Sequence, residues 1–205
     1  MKIDLNLIEA RTYDWSSQEM RNGIVELFAG YLAECMDQGT QGAGYPVHPS
    51  PQYKTGVLYY DGEMVCFASV DHCVADGGAP AVELIYVKPQ FRQHGIGSAM
   101  IKVGQKVVPD LRLKGPLSPT GQALADQTGA GVSGTAPSEI DAYEKYVTET
   151  MASANAYCRE RKGHRPGNPK LPCQRCRCSL ASKVAAAFVD AATQDRRAFE
   201  KWRTA

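Results

Sequence analysis

Nothing in the 205-residue chain approaches the roughly 18–20 consecutive apolar positions that a spanning helix needs. The opening stretch, MKIDLNLIEARTYDW, lacks a signal-peptide core, because acidic and polar residues interrupt it at once. A soluble, cytoplasmic protein with no membrane partner is the expectation. A disulfide framework is missing as well: the seven cysteines are odd in number, and nothing marks the chain for export. No internal repeat is visible. Hydrophobic residues (43%) and charged residues (22%) stand near globular averages, so neither wholesale disorder nor a fibre fits. The length suits one domain of ordinary size plus an appendage or a small second domain.

What the chain does have is unevenly placed. Residues 1–131 carry 10 Lys/Arg against 14 Asp/Glu, while 132–205 carry 13 against 8. A net charge of −4 thus gives way to +5, and two functional parts are expected, 1–131 and 132–205. Four of the seven cysteines (Cys158, Cys173, Cys176 and Cys178) also fall in the second part. Cys35, Cys66 and Cys73 lie in apolar or strand-like stretches, where cysteine commonly serves as a small core residue.

Residues 3–8 alternate like a strand. Ser16 and Glu19 stand at capping-box spacing, and Met20, Ile24, Leu27, Tyr31 and Cys35 follow at helical steps, so 17–37 reads as an amphipathic helix. After a Gly/Pro/Ser loop at 39–51, strand-like stretches at 55–60 and 63–73 flank the turn pair Asp61-Gly62. Residues 82–87 form a further strand, and Ala99, Met100, Val103 and Val107 mark a helix that Pro109 ends. A short strand at 111–114 and a short helix at 120–128 follow. Residues 129–137 read as a linker. Ile140, Tyr143, Val147, Met151, Ala154 and Cys158 line one later helix, and Leu180, Val184, Phe188, Ala191, Phe199 and Trp202 a last one.

Between the strand at 82–87 and its helix stands Arg92-Gln93-His94-Gly95-Ile96-Gly97. Amides at a helix start form an anion site, and glycines let that backbone approach a phosphate closely. The Lys-Ser/Thr pair of a P-loop is absent, and only two glycines hold the spacing of a dinucleotide fingerprint. A pyrophosphate site fits; the plain alternative is an ordinary helix start after a tight turn.

The stretch Leu84-Ile85-Tyr86-Val87-Lys88-Pro89-Gln90-Phe91-Arg92-Gln93-His94-Gly95-Ile96-Gly97 resembles the acetyl-CoA-binding core of the GNAT N-acetyltransferase family. The Asp-Gly hairpin and the first helix resemble that family too, and the likeness extends over about 1–130. It implies an α/β (α+β) fold, a mixed, mainly antiparallel sheet flanked by helices; the residues after 131, which the likeness does not reach, are expected from their own pattern to form a helical C-terminal extension that zinc could pin. It further implies that amides from Arg92 or Gln93 through His94, Gly95, Ile96 and Gly97 hold the pyrophosphate of acetyl-CoA. Ser98 would add a hydroxyl, and the Tyr86-Val87 backbone would pair with the pantetheine arm where this strand splays from the next. The implied reaction is direct acetyl transfer to the primary amine of a protein or small molecule. Glu83 is the candidate base, with Asp71 and His72 in reserve. The family's acid is a tyrosine on the helix after the fifth strand; this chain has none there, leaving Ser118, Thr120, Tyr143 and Tyr146 open. The competing reading is a catalytically inactive acyl-CoA-binding protein or an adaptor for protein or nucleic acid.

In the second part, Cys173-Gln174-Arg175-Cys176-Arg177-Cys178 reads as a knuckle just before a helix. Cys-x2-Cys lets one turn chelate zinc through two thiolates, and two more ligands close a tetrahedron. Cys158, His164, Cys173 and Cys176 are the candidate set, with Cys178 able to replace one member. Reduced structural cysteines are the bland alternative. Seven basic residues crowd 158–178, but arginines interspersed with prolines are usually just solvated, and no aromatic platform for bases accompanies them. An amine-bearing acceptor is therefore expected before a nucleic-acid partner, and self-association stays open.

Overall fold

The computed structural model describes residues 3–38, 53–72, 79–115, 117–134, 156–161, 164 and 173–204. Six strands form one sheet in chain order: β1 (Ile8–Thr12), β2 (Tyr53–Tyr60), β3 (Glu63–Asp71), β4 (Ala81–Val87), β5 (Arg112–Lys114) and β6 (Val132–Ser133). The first four are mutually antiparallel, whereas β4–β5 and β5–β6 pair in parallel. Asp61 (φ 50°) and Gly62 (φ 76°) both take the left-handed conformation that a two-residue hairpin demands, as the Asp-Gly pair predicts.

Alternation along the central strands assigns side chains to two layers. Val57, Tyr59, Phe67, Leu84 and Tyr86 pack with Ile24, Leu27 and Phe28 of α1 (Gln18–Gln38). Leu58, Cys66, Ala68 and Val82 pack with Met100 and Ile101 of α2 (Ile96–Val107), and with Ala125 of α3 (Pro119–Thr128). The fourth helix, α4 (Gln174–Thr204), joins the first layer: Ala185, Val189 and Ala192 are buried in the same cluster as α1. No described helix is long and apolar enough to cross a membrane.

Several local expectations shift. The strand read at 3–8 begins only at Ile8, because Asp4 accepts from both the amide and the side chain of Asn6 and holds Leu5–Leu7 in a helical turn. The stretch read as linker at 129–137 contains β6, a two-residue strand against β5. The last helix starts at Gln174, so Cys176 and Cys178 lie within its opening turns rather than before it. Its buried seam is Ala181, Ala185, Val189 and Ala192, one residue round from the expected line; Leu180, Val184 and Phe188 flank it, half-buried. Cys73, most of the helix expected along Ile140–Cys158, and the tyrosines Tyr143 and Tyr146 lie outside the described residues.

Candidate active site

The glycine segment is built as a cradle. Lys88 donates its amide to Val65 O at 2.9 Å, and Pro89 starts a single helical turn that drops Phe91 into the core. Gln93 (φ 63°) and Gly95 (φ 79°) then both adopt left-handed backbone. Gly95 caps α2 and makes no side-chain cap hydrogen bond to its first turn. A β-carbon at Gly97 would meet Leu124 at 3.7 Å and Val87 at 3.9 Å, ordinary contacts, so intramolecular packing does not demand glycine there.

Arg92, at the head of this turn, faces away from the cradle. Its Nη2 donates to both carboxylate oxygens of Glu34 at 2.8 and 2.9 Å, its Nε donates to Val87 O at 2.9 Å, and its guanidinium lies 5.1 Å over the Tyr86 ring. Tyr86 Oη donates to the same Glu34 at 2.8 Å. Burial, together with that carboxylate, pushes the Tyr86 phenol well above its ordinary range. Gly30 makes the meeting possible, since a β-carbon there would stand 2.8 Å from Tyr86 Oη. Arg92 is thus a brace between α1 and the end of β4. Ser98 is likewise engaged, donating to Gln127 of α3 at 2.6 Å.

The sheet opens beside the cradle. β4 pairs with β5 only at Ala81 and Val82, so its remaining length, including Tyr86 and Val87, continues without that neighbour. On its other edge, Ser69 pairs with Leu84 and Val70 with Val82, which leaves Glu83 as the extra residue of a bulge. The bulge sets Glu83 at the vertex of the opening. There its Oε1 accepts from Lys114 Nζ at 3.1 Å, with 12% of the Glu83 side chain and 29% of that of Lys114 exposed.

The other candidates are placed apart. His72 lines a separate cleft of about 310 Å³ with Lys54, Met100, Val107 and Leu111. Burial, reinforced by nearby Lys54, pulls its imidazole below the usual histidine value. Ser118 caps α3, its Oγ accepting from Gly121 N at 3.1 Å.

The family profile described as Acetyltransferase (GNAT) family matches residues 12–114, half of the chain. The chain belongs to the GNAT acetyltransferase family. The observed six-stranded, mainly antiparallel sheet with flanking helices is its fold. Similar solved structures include the ribosomal-protein-alanine N-acetyltransferase from Brucella melitensis biovar Abortus 2308, 20% identical, covering 63% of this chain and 95% of that one, with a TM-score of 0.45. A possible acetyltransferase from Clostridium difficile 630 is 15% identical, covering 61% and 91%, with a TM-score of 0.45. The ribosomal-protein-S18-alanine N-acetyltransferase from Escherichia coli is 14% identical, covering 60% and 76%, with a TM-score of 0.42. No curated protein matches the chain.

Within this GNAT domain, the sequence motif leads to the turn and to Glu83, but not to Glu34, Lys114 or Gln127. Each of these three is tied to a candidate residue from far away in the chain, and no local pattern marks such pairs.

Beyond the profile, the tail forms its own cluster. One ligand atom each of Cys158, His164, Cys173 and Cys176 lies within 4.8 Å of the others. His164 Nδ1 stands 3.3 Å from both Cys173 Sγ and Cys176 Sγ, and Cys173 N donates to Cys158 Sγ at 3.3 Å. Cys178 sits two residues beyond Cys176 on the helix, turned to the exposed side and outside the group.

Proposed function

We propose that the chain is an acetyl-CoA-dependent N-acetyltransferase that moves acetyl directly to the primary amine of a protein or small molecule. The observation that carries this reading is the juxtaposition of an uncapped, doubly left-handed helix start with a strand opening that holds a carboxylate at its vertex. Such a cradle suits a pyrophosphate: the amides of the helix start meet no capping side chain from Gly95, and the helix dipole favours negative charge there. In this reading residues 1–131 form the acetyl-CoA-binding domain, and 132–205 form a basic, cysteine-rich extension.

Amides of residues 92–97 hold the pyrophosphate, among them those of Gln93, His94, Gly95 and Ile96, and Gly97 keeps the approach clear. Ser98 fixes α2 to α3 through Gln127 rather than spending its proton on the phosphate. The β4 edge at Tyr86 and Val87 lies open for an extended amide-bearing arm, and Arg92 braces it from behind. Acetyl-CoA, when bound, supplies a thioester whose acetyl carbon is open to attack. Glu83 takes the proton of the incoming ammonium, directly or through one water, after Lys114 yields its place. The proton that the departing thiolate needs is not assigned to a residue.

Two observations favour a second reading, acyl-CoA binding without catalysis: Glu83 is already ion-paired to Lys114, and α3 carries no tyrosine to serve as acid. Glu83→Gln separates the two. An enzyme working through Glu83 should lose about 10²-fold or more in kcat while its CoA dissociation constant stays nearly constant. The measurement is an acetyl-transfer assay against a panel of amines, alongside calorimetry with CoA. Full activity of Glu83→Gln over about pH 6–9 would move the base elsewhere, and CoA binding with no transfer to any amine would favour the second reading.

A further inference from the structure

We infer that Cys158, His164, Cys173 and Cys176 form a closed, structural zinc site that fastens the start of α4 to the helical turn at Tyr157–Arg161. Tetrahedral zinc with thiolate and imidazole ligands implies ligand–ligand edges of about 3.5 Å (S···N) and about 3.8 Å (S···S). The two S···N separations of 3.3 Å are close to that edge, and all four ligand atoms lie within 4.8 Å of one another, so a small inward shift of the outlying sulfur closes the cage around a metal.

Hydrogen bonding explains the arrangement less well. Nδ1 of a neutral imidazole can accept one proton or donate one, yet here it faces two sulfurs at the same distance. A cation shared by all three atoms satisfies them together. The Cys173 amide directed at Cys158 Sγ is the sort of outer contact that steadies a charged thiolate. Three thiolates and one neutral imidazole around Zn²⁺ leave one net negative charge. Arg177, beside the ligand Cys176, extends the cluster to α1 through an ion pair with Asp37.

All four positions are filled by protein, so the site leaves no open coordination for substrate, and its role is to hold chain segments together. The ligands fall between positions 158 and 176, on a helical turn at Tyr157–Arg161, at His164, and at the start of α4. Backbone bonds from His164 N to Cys158 O at 3.2 Å and from Arg177 N to Cys173 O at 3.0 Å bring the ligands into line. The site is independent of acetyl transfer, and its failure would leave the acetyltransferase reading standing.

The test uses the full chain, purified without chelator or a metal-affinity column and then dialysed with Zn²⁺ before elemental analysis. One equivalent of zinc is expected in the wild-type protein and in Cys178→Ser, against a loss of most of it in Cys176→Ser. Cobalt loaded into the unaltered chain should give visible absorption of tetrahedral thiolate coordination, which settles the case even if Cys176→Ser does not fold. Less than about a tenth of an equivalent after dialysis, or cobalt spectra without thiolate charge transfer, would overturn the proposal, as would loss of the metal from Cys178→Ser.

Discussion

Gly95 concentrates two physical requirements in one residue. Its φ of 79° excludes most side chains at little cost only while it remains glycine, and its amide opens the helix that faces the proposed pyrophosphate. Gly95→Asp should therefore strain the turn by about 1–2 kcal/mol and place a carboxylate where an anion should bind. CoA affinity measured by calorimetry on folded protein should fall at least about tenfold. Unchanged affinity would remove the turn as the CoA site. This residue was legible in the sequence, because glycine spacing after a strand is a local signal. Glu34 was not: it meets Arg92 from 58 positions away, and only the packing of α1 against β4 creates that encounter. Glu83 fell between the two. Its place on the strand could be read, but the bulge that sets it at the vertex depends on how β3 and β4 register.

Among the elements, α1, the hairpin and α2 were readable because the Asp-Gly turn and apolar periodicity act locally and agree with one another, although Ser17 rather than Ser16 caps α1, its Oγ accepting from Met20 N at 3.3 Å while Ser16 Oγ donates to Asp14. The edges were harder. Asp4 diverts the first residues into a turn, and β6 is too short for any alternation to register. The buried face of α4 was also misread, for a reason that bears on stability. Large residues mark an apolar face in sequence, yet fully buried Ala181 and Ala185 form the contact line itself, which allows close approach to α1. Phe188 flanks that line and meets Phe28 edge-on at 6.2 Å. Ala185→Leu should overpack this seam and cost about 1–3 kcal/mol in a denaturant titration. No loss of stability would mean that the two helices are loosely apposed.

At the scale of the whole molecule, the apparent appendage and the acetyltransferase domain share a core. α4 lies on the same layer as α1, with Val189 and Ala192 in one buried cluster with Ile24, Leu27, Phe28 and Phe67. Charge segregation along the sequence marks a change in surface character, and hydrophobic packing crosses that division without regard to it. A chain ending at residue 134 would keep the glycine turn, the strand opening and Glu83. It would also uncover the outer side of α1, where partly buried Val25, Ala29 and Leu32 add to the apolar area. Loss of such contacts removes stabilisation at about 25 cal/mol per Å² of apolar surface returned to water. The truncated protein should therefore unfold at a lower denaturant midpoint than the full chain and bind a hydrophobic dye under native conditions. Equal midpoints with no dye binding would show that the sheet and its first three helices are self-sufficient and that α4 only rests on them.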